Sequence, residues 1–278
     1  MINFTPVHEI FSIWNFHVYS WGFMFVVGFI IASYFVLREA EKKKIDQGFI
    51  LNILLLTLLG AIIGGRLFYV LENAGYFLHN LGEIFAFGRG GETSYGGILL
   101  SLFFIWIYTK LSKPKKSETF LGAENSSNFQ ANKNKLKFSQ VLDLIAPYLV
   151  LAAAIARIGC FLNWDDFGIV SSLPWAIKVA GDVARHPTQI YETVYCLIIF
   201  GLLMWFRKIK DTGKFTKFRK LLSKDGALFL FFLIFYSIFR FFNDFLRIYD
   251  NYFVGLAFSQ WLLIIVFVIS VIVLWKKK

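Results

Sequence analysis

Cysteine is nearly absent from this 278-residue chain, and the two present, Cys160 and Cys196, lie in or beside apolar segments. They offer neither a disulfide framework nor a metal-ligand spacing, so a stapled secreted domain and a zinc site are both excluded, and no cofactor or metal is expected. The first seventeen residues hold no Lys or Arg. Without that charged leader the expected route into a membrane is the first apolar segment itself. Short-period alternation is missing as well, which argues against barrel strands. No internal repeat, no Gly-x-Ser-x-Gly elbow and no mid-span aspartate pair is visible. What the chain has in excess is apolar residues: 57% hydrophobic, 34 Phe and a mean hydropathy of +0.60, more than a soluble domain of this length would carry.

Seven apolar segments stand out, at about 18–37, 49–71, 95–112, 139–162, 188–206, 227–247 and 257–275. Each approaches the ~20 residues that a helix needs to cross a bilayer. The expected fold is therefore all-α: one polytopic transmembrane domain, 1–278, with seven helices. The net charge of +11 is too unevenly placed to suggest nucleic acid. Arg38 and Lys42–Lys44 lie in the first loop, seven lysines between 110 and 137, eight basic residues between 207 and 224, and Lys276–Lys278 at the end. These alternate loops belong in the cytoplasm by the positive-inside rule, which puts the N-terminus outside and the C-terminus inside. Residues 113–137 are polar and read as a flexible cytoplasmic loop. Residues 207–224 read as a basic cytoplasmic loop on the anionic inner leaflet. Ile10 to His17 reads as a short surface helix with Trp14 and Phe16 at the interface.

The basic residues left over are Arg66, Arg89, Arg157, Lys178, Arg185, Arg240 and Arg247. All but one are arginine, although lysine dominates the cytoplasmic loops. Topology needs only a point charge, whereas the planar guanidinium suits paired hydrogen bonds to phosphate or carboxylate. A guanidinium at mid-bilayer costs roughly 2.5–3.5 kcal/mol on insertion scales, so these residues are expected to face a polar cavity with partners.

Arg157 closes a long apolar run and leads into Asn163, Asp165, Asp166 and Gly168. In the second span Gly60 and Gly64 make a small-residue face for a neighbouring helix, followed by Arg66, Tyr69 and Asn73 on one stripe. Gly88 to Gly97 is glycine-rich, a candidate anion nest of backbone amides that ends on Tyr95, Gly96 and Gly97. After Pro187, which suits a first helical turn, Gln189 and Glu192 face the bundle at i, i+3. Tyr236, Arg240, Asn243, Asp244 and Arg247 share one helical face, and Arg240 with Asp244 can pair at i, i+4. An ion pair kept only for structure needs one Arg and one Asp, not two Arg, an Asn and a Tyr. The expectation is that these span ends converge on one phosphate-holding site at the outer membrane surface.

Read together, Arg157-Ile-Gly-Cys-Phe-Leu-Asn163 with Gly168, Arg185-His-Pro-Thr-Gln-Ile-Tyr-Glu192, Gly64-Gly-Arg-Leu-Phe-Tyr69, Tyr95-Gly-Gly97 and Arg240 with its acidic neighbour resemble the prolipoprotein diacylglyceryl transferases, from about Trp14 to Leu263. The resemblance implies transfer of the diacylglyceryl group of phosphatidylglycerol to the lipobox cysteine of a prolipoprotein signal peptide, giving a thioether and releasing glycerol phosphate. It implies a multi-pass cell-membrane enzyme with an outward-facing site. Arg157 and Arg240 would grip the departing phosphate, and the thiol proton would leave through Tyr95, as phenolate or hydrogen-bond relay, or through a nearby carboxylate. Arg66, Gly96, Gly97, Asn163, Asp165, Gly168, Gln189, Glu192, Asp244 and Arg247 would hold lipid or partners. The chain departs from the family pattern at Tyr95, where His is common, at Cys160, where Asn stands, and at Asp165 and Asp244, where Glu is usual. The rival reading is an anion or lipid transporter with an arginine-lined outer cavity.

Overall fold

The computed structural model describes residues 1–14, 16–85, 93–112, 136–212, 216–249 and 252–277. The first part of the glycine-rich stretch, with Arg89, nearly all of the 113–137 loop and Asp250 lie outside the described residues. Helices dominate: α1 (Ser20–Lys42), α2 (Gln47–Glu72), α3 (Ala74–Phe77), α4 (Ser94–Leu111), α5 (Phe138–Asn163), α6 (Thr188–Thr212), α7 (Thr216–Leu222), α8 (Ala227–Asp244) and α9 (Phe258–Lys276). Among the described residues six of them, α1, α2, α5, α6, α8 and α9, are long and apolar enough to cross a membrane. The apolar part of α4, Tyr95–Leu111, is shorter.

Small strand pairs join these helices. β1 (Ile2–Phe4) runs parallel to β4 (Ile177–Val179); β2 (Glu9–Ile13) and β3 (Phe16–Tyr19) form a hairpin; β5 (Tyr252–Phe253) pairs with β6 (Leu256–Ala257). The hairpin corrects the surface helix expected over Ile10 to His17. Eight residues are marginal as an isolated helix, whereas pairing across a tight turn satisfies the backbone directly. That turn uses Trp14 in the left-handed region at φ 56°, and the residue is 97% exposed.

The chain folds as two compact units. The unit Val36–Val141 is built on α2 against α4. The small-residue face is what allows it: a Cβ on Gly60 would lie 2.5 Å from Ser101 Cα, and one on Gly64 would run into the Gly96 carbonyl. Ser101 Oγ donates to Thr57 O at 2.8 Å, tying the helices along the same face.

The other unit, Met1–Phe35 with Leu142–Lys278, holds most of α1 and α5 and the helices from α6 onward. Gly159 lets α5 approach α1, since a Cβ there would sit 2.8 Å from Trp21 Cα. Its core is Tyr195, Cys196, Ile199, Leu203 and Phe206 of α6 packed on Val150 and Ala154 of α5 and Leu228 of α8. Within the basic stretch 207–224, α6 continues through Thr212 and α7 covers Thr216–Leu222. Arg207 is buried and reaches α5, where it donates to Tyr148 Oη at 3.0 Å and to the carbonyls of Asp143 and Leu144 at 3.2 and 3.0 Å. Pro147 explains the target, because it has no N–H to return to the Asp143 carbonyl. The Asp143 carboxylate in turn accepts from Gly226 N and Phe229 N, capping the start of α8.

Candidate active site

At the opposite end of the larger unit, where α5 and α8 finish and α6 begins, three guanidiniums meet one buried carboxylate. Glu192 lies one turn into α6 with its side chain 1% exposed. Its Oε2 receives Arg157 Nε of α5 at 3.1 Å, Arg240 Nη1 of α8, and Arg247 Nη1 at 3.7 Å, while Tyr236 Oη donates to Oε1 at 3.0 Å. Arg240 also pairs through Nε with Asp244 Oδ1 at 2.8 Å, the i, i+4 contact that its spacing implies. Asp244 Oδ2 accepts from Ser259 Oγ of α9 at 2.7 Å. A charge that far from water is tolerable only when paired and hydrogen-bonded, and here both buried carboxylates face at least one guanidinium.

The segment after α5 supplies a second bridge. Asp166 joins Arg157 Nη1 at 2.7 Å through Oδ2 and Arg247 Nη2 through Oδ1. Desolvation opposes its ionisation, but Arg247 and Arg157 outweigh that and hold its pKa at about 2. Asp165 goes the other way: burial raises it, although Asn163 Nδ2 donates to its Oδ2 at 2.8 Å. The main chain between them is held from α6, with Thr188 Oγ1 donating to Asp166 O at 2.6 Å and Gln189 Nε2 donating to Asp165 O. Trp164 and Asp166 both adopt left-handed φ, 57° and 59°, a conformation that costs a non-glycine residue and persists only where surrounding contacts impose it. His8 of the N-terminal segment reaches over and shares a 3.2 Å contact between its Nδ1 and Asn163 Oδ1.

Gly168 then lets two stretches of chain touch. Its N–H donates to His186 O at 2.9 Å and it bridges to Arg247. A Cβ there would sit 2.5 Å from Leu246 O and 2.8 Å from Thr188 Cγ2, so only glycine permits the approach that sets Arg247 beside Asp166. Arg185 is engaged elsewhere, in a double contact with Asp182 at 2.7 and 3.0 Å. Around the cluster Gln189 Oε1 and Asn243 Oδ1 are buried without a hydrogen-bond partner among the described residues. Buried polar atoms are rarely left so, and these two are acceptors available to a polar ligand.

Arg157, Asn163, Asp165, Gly168, Gln189, Glu192, Arg240, Asp244 and Arg247 thus gather in one place. Arg66, Tyr95, Gly96 and Gly97 belong to the other unit. There Arg66 is buried, donating to Glu83 O at 2.6 Å and Ile84 O at 3.1 Å and lying over the Tyr69 and Phe77 rings. Gly96 and Gly97 pack against α2, and Tyr95 is 47% exposed in the first turn of α4. Asp166 was not expected at the centre of the cluster; adjacent aspartates look alike in a sequence, and only the backbone turn separates their directions. His8 has no sequence signal at all. Cys160 Sγ and the carboxylates of Asp165 and Asp166 come within 4.8 Å of one another, but Arg157 Nη1 lies 3.6 Å from that sulfur and two arginines occupy Asp166, a setting hostile to a cation.

The family model described as prolipoprotein diacylglyceryl transferase matches residues 8–276. Among similar proteins, a phosphatidylglycerol–prolipoprotein diacylglyceryl transferase of Finegoldia magna is 31% identical, covering 96% of this chain and 94% of its own length. One of the same description from Clostridioides difficile is 30% identical over 85% of this chain and 82% of its own. Another from Streptococcus pneumoniae is 29% identical over 91% and 87%.

Proposed function

The chain belongs to the prolipoprotein diacylglyceryl transferase family and is an enzyme that moves the diacylglyceryl group of phosphatidylglycerol to a prolipoprotein, and on that premise we propose that the cluster centred on Glu192 is where the donor's phosphate is gripped. The observation that carries this reading is the meeting of Arg157, Arg240 and Arg247 on one buried carboxylate. The acceptor is the lipobox cysteine of a signal peptide. Its sulfur, as thiolate, bonds to the terminal glyceryl carbon of the diacylglyceryl group while the carbon–oxygen bond to phosphate breaks, and glycerol phosphate leaves with the electron pair. Charge therefore builds on the departing phosphate, where Arg157 and Arg240 act as the catalytic clamp. Guanidiniums act more strongly there than in water because the site is largely closed to solvent.

Asn163, Asp165, Gly168, Gln189, Glu192, Asp244 and Arg247 hold the clamp and the headgroup. Tyr95, standing where the family commonly has His, is the candidate for the thiol proton, as base or hydrogen-bond relay, and the family resemblance assigns Arg66, Gly96 and Gly97 to substrate binding. A phenol with a reference pKa of about 10 is a weak base at neutral pH, so hydrogen-bond relay is the better of the two roles. The distribution of basic residues supports a single transmembrane domain of seven spans in the cell membrane, with the N-terminus and the clamp on the outer side and no nucleic-acid partner.

Incubating the purified chain with labelled phosphatidylglycerol and a lipobox peptide tests the reading. Labelled peptide is expected with the unmodified enzyme, none with a Cys→Ser peptide, and on the order of a hundredfold less with Arg240→Ala. Full activity in Arg240→Ala would remove that arginine from the clamp, and full activity in Tyr95→Phe would remove the tyrosine from proton transfer.

A further inference from the structure

Every guanidinium of the cluster is already ion-paired to a carboxylate. Glu192, Asp244 and Asp166 answer Arg157, Arg240 and Arg247. As it stands, no positive charge is left over for a phosphate, so one carboxylate must give way. The three are not equally able to do so. The side chains of Glu192 and Asp244 are 1% and 0% exposed and carry additional hydrogen bonds from Tyr236 and Ser259. Releasing either would strand a charge away from water. The Asp166 side chain is 42% exposed, and its two oxygens are engaged by Arg157 and Arg247. The main chain beneath it is held independently by Thr188 and Gln189, so rotation about χ1 would carry the carboxylate into solvent and leave the loop in place.

We propose that Asp166 is a resident stand-in for the donor's phosphate: it bridges Arg157 and Arg247, swings outward when the phosphate arrives, and returns to expel glycerol phosphate. The inference rests on the proposed role of Arg157 as a phosphate clamp. Two guanidinium forks left vacant by a carboxylate offer paired N–H donors to a tetrahedral oxyanion. The ligand class is therefore a phosphate ester carrying negative charge. Asp166 is ionised at any working pH, so an uncharged glyceride lacks the charge to compete with it. The residue thereby acts as a selectivity filter for anionic donors as well as a release device.

Full-length Asp166→Asn in detergent, titrated with glycerol phosphate, tests this. The amide keeps the shape and removes the competing charge, so glycerol phosphate should bind about tenfold tighter. KM for phosphatidylglycerol should fall, and kcat should fall with it as the product lingers. If Asp166 served only to orient the arginines, the same variant would bind glycerol phosphate more weakly and raise KM, which would overturn the inference; unchanged binding would overturn it too. A second measurement needs no variant. In the unmodified enzyme, carbodiimide labelling of the Asp166 carboxyl, read by mass spectrometry, should rise on adding glycerol phosphate; a fall or no change counts against the swing. Arg157→Ala separates the two claims. If it binds glycerol phosphate as well as the parent, the clamp reading fails; if binding depends on Arg157 while Asp166→Asn gains nothing, only the stand-in fails.

Discussion

Glu192→Gln is expected to remove diacylglyceryl transfer and to lower thermal stability in the same protein. The exchange is nearly isosteric, so packing is spared and the loss is one of charge. Oε2 faces Arg157 Nε at 3.1 Å, Arg240 Nη1 and Arg247 Nη1 at 3.7 Å, with 1% of the side chain exposed. An amide in that position leaves three guanidiniums to two carboxylates, and places N–H groups where acceptors are needed. Removing one partner of a buried ionic set typically costs about 3–5 kcal/mol, a large fraction of a domain's stability. A melting curve followed by circular dichroism in detergent should show the drop, beside a transfer assay at background. A variant as stable as its parent would mean that the arginines are held by something other than Glu192.

Arg157→Lys should separate charge from shape. The guanidinium uses Nε on Glu192 and Nη1 on Asp166 at once, from one planar fork. A lysine ammonium keeps the charge but is a single point on a flexible stem, unable to serve both carboxylates in the same geometry. Folding should survive better than in Glu192→Gln, because no buried charge is orphaned. Catalysis should not: loss of an aligned donor to developing charge costs on the order of 10²–10³ in kcat. The expected pattern is a large fall in kcat with a small change in KM, the sign of an interaction made mainly in the transition state. Parent-level kcat with lysine would mean that charge alone suffices there.

Much of this site can be read from spacing. Arg240 and Asp244, four residues apart on a Phe-rich helix, had to meet, and they do at 2.8 Å. Gln189 and Glu192, three apart beyond a proline, both turn inward and are buried. Gly60 and Gly64 announced a close helix neighbour, which is α4. What stayed hidden depends on contacts between distant stretches or on backbone angles that residue type does not advertise. Asp165 was the expected carboxylate of its pair, yet a left-handed turn at Asp166 sends the second one to the arginines. Tryptophan does not signal a turn, so the hairpin at Trp14 read as a helix. Arg207 read as one more loop cation because its partner was made by Pro147, far upstream in the chain, which withholds an N–H from Asp143.

The pairing of guanidiniums with carboxylates also bears on how a lipid finds this enzyme. Although the chain as a whole carries +11, each arginine of the cluster is matched by a carboxylate, so the cluster projects little field past the roughly 8–10 Å over which physiological ionic strength screens charge. Capture of phosphatidylglycerol should then owe little to long-range steering. Turnover measured against added salt is expected to stay nearly flat, with recognition beginning only once the headgroup is already in contact.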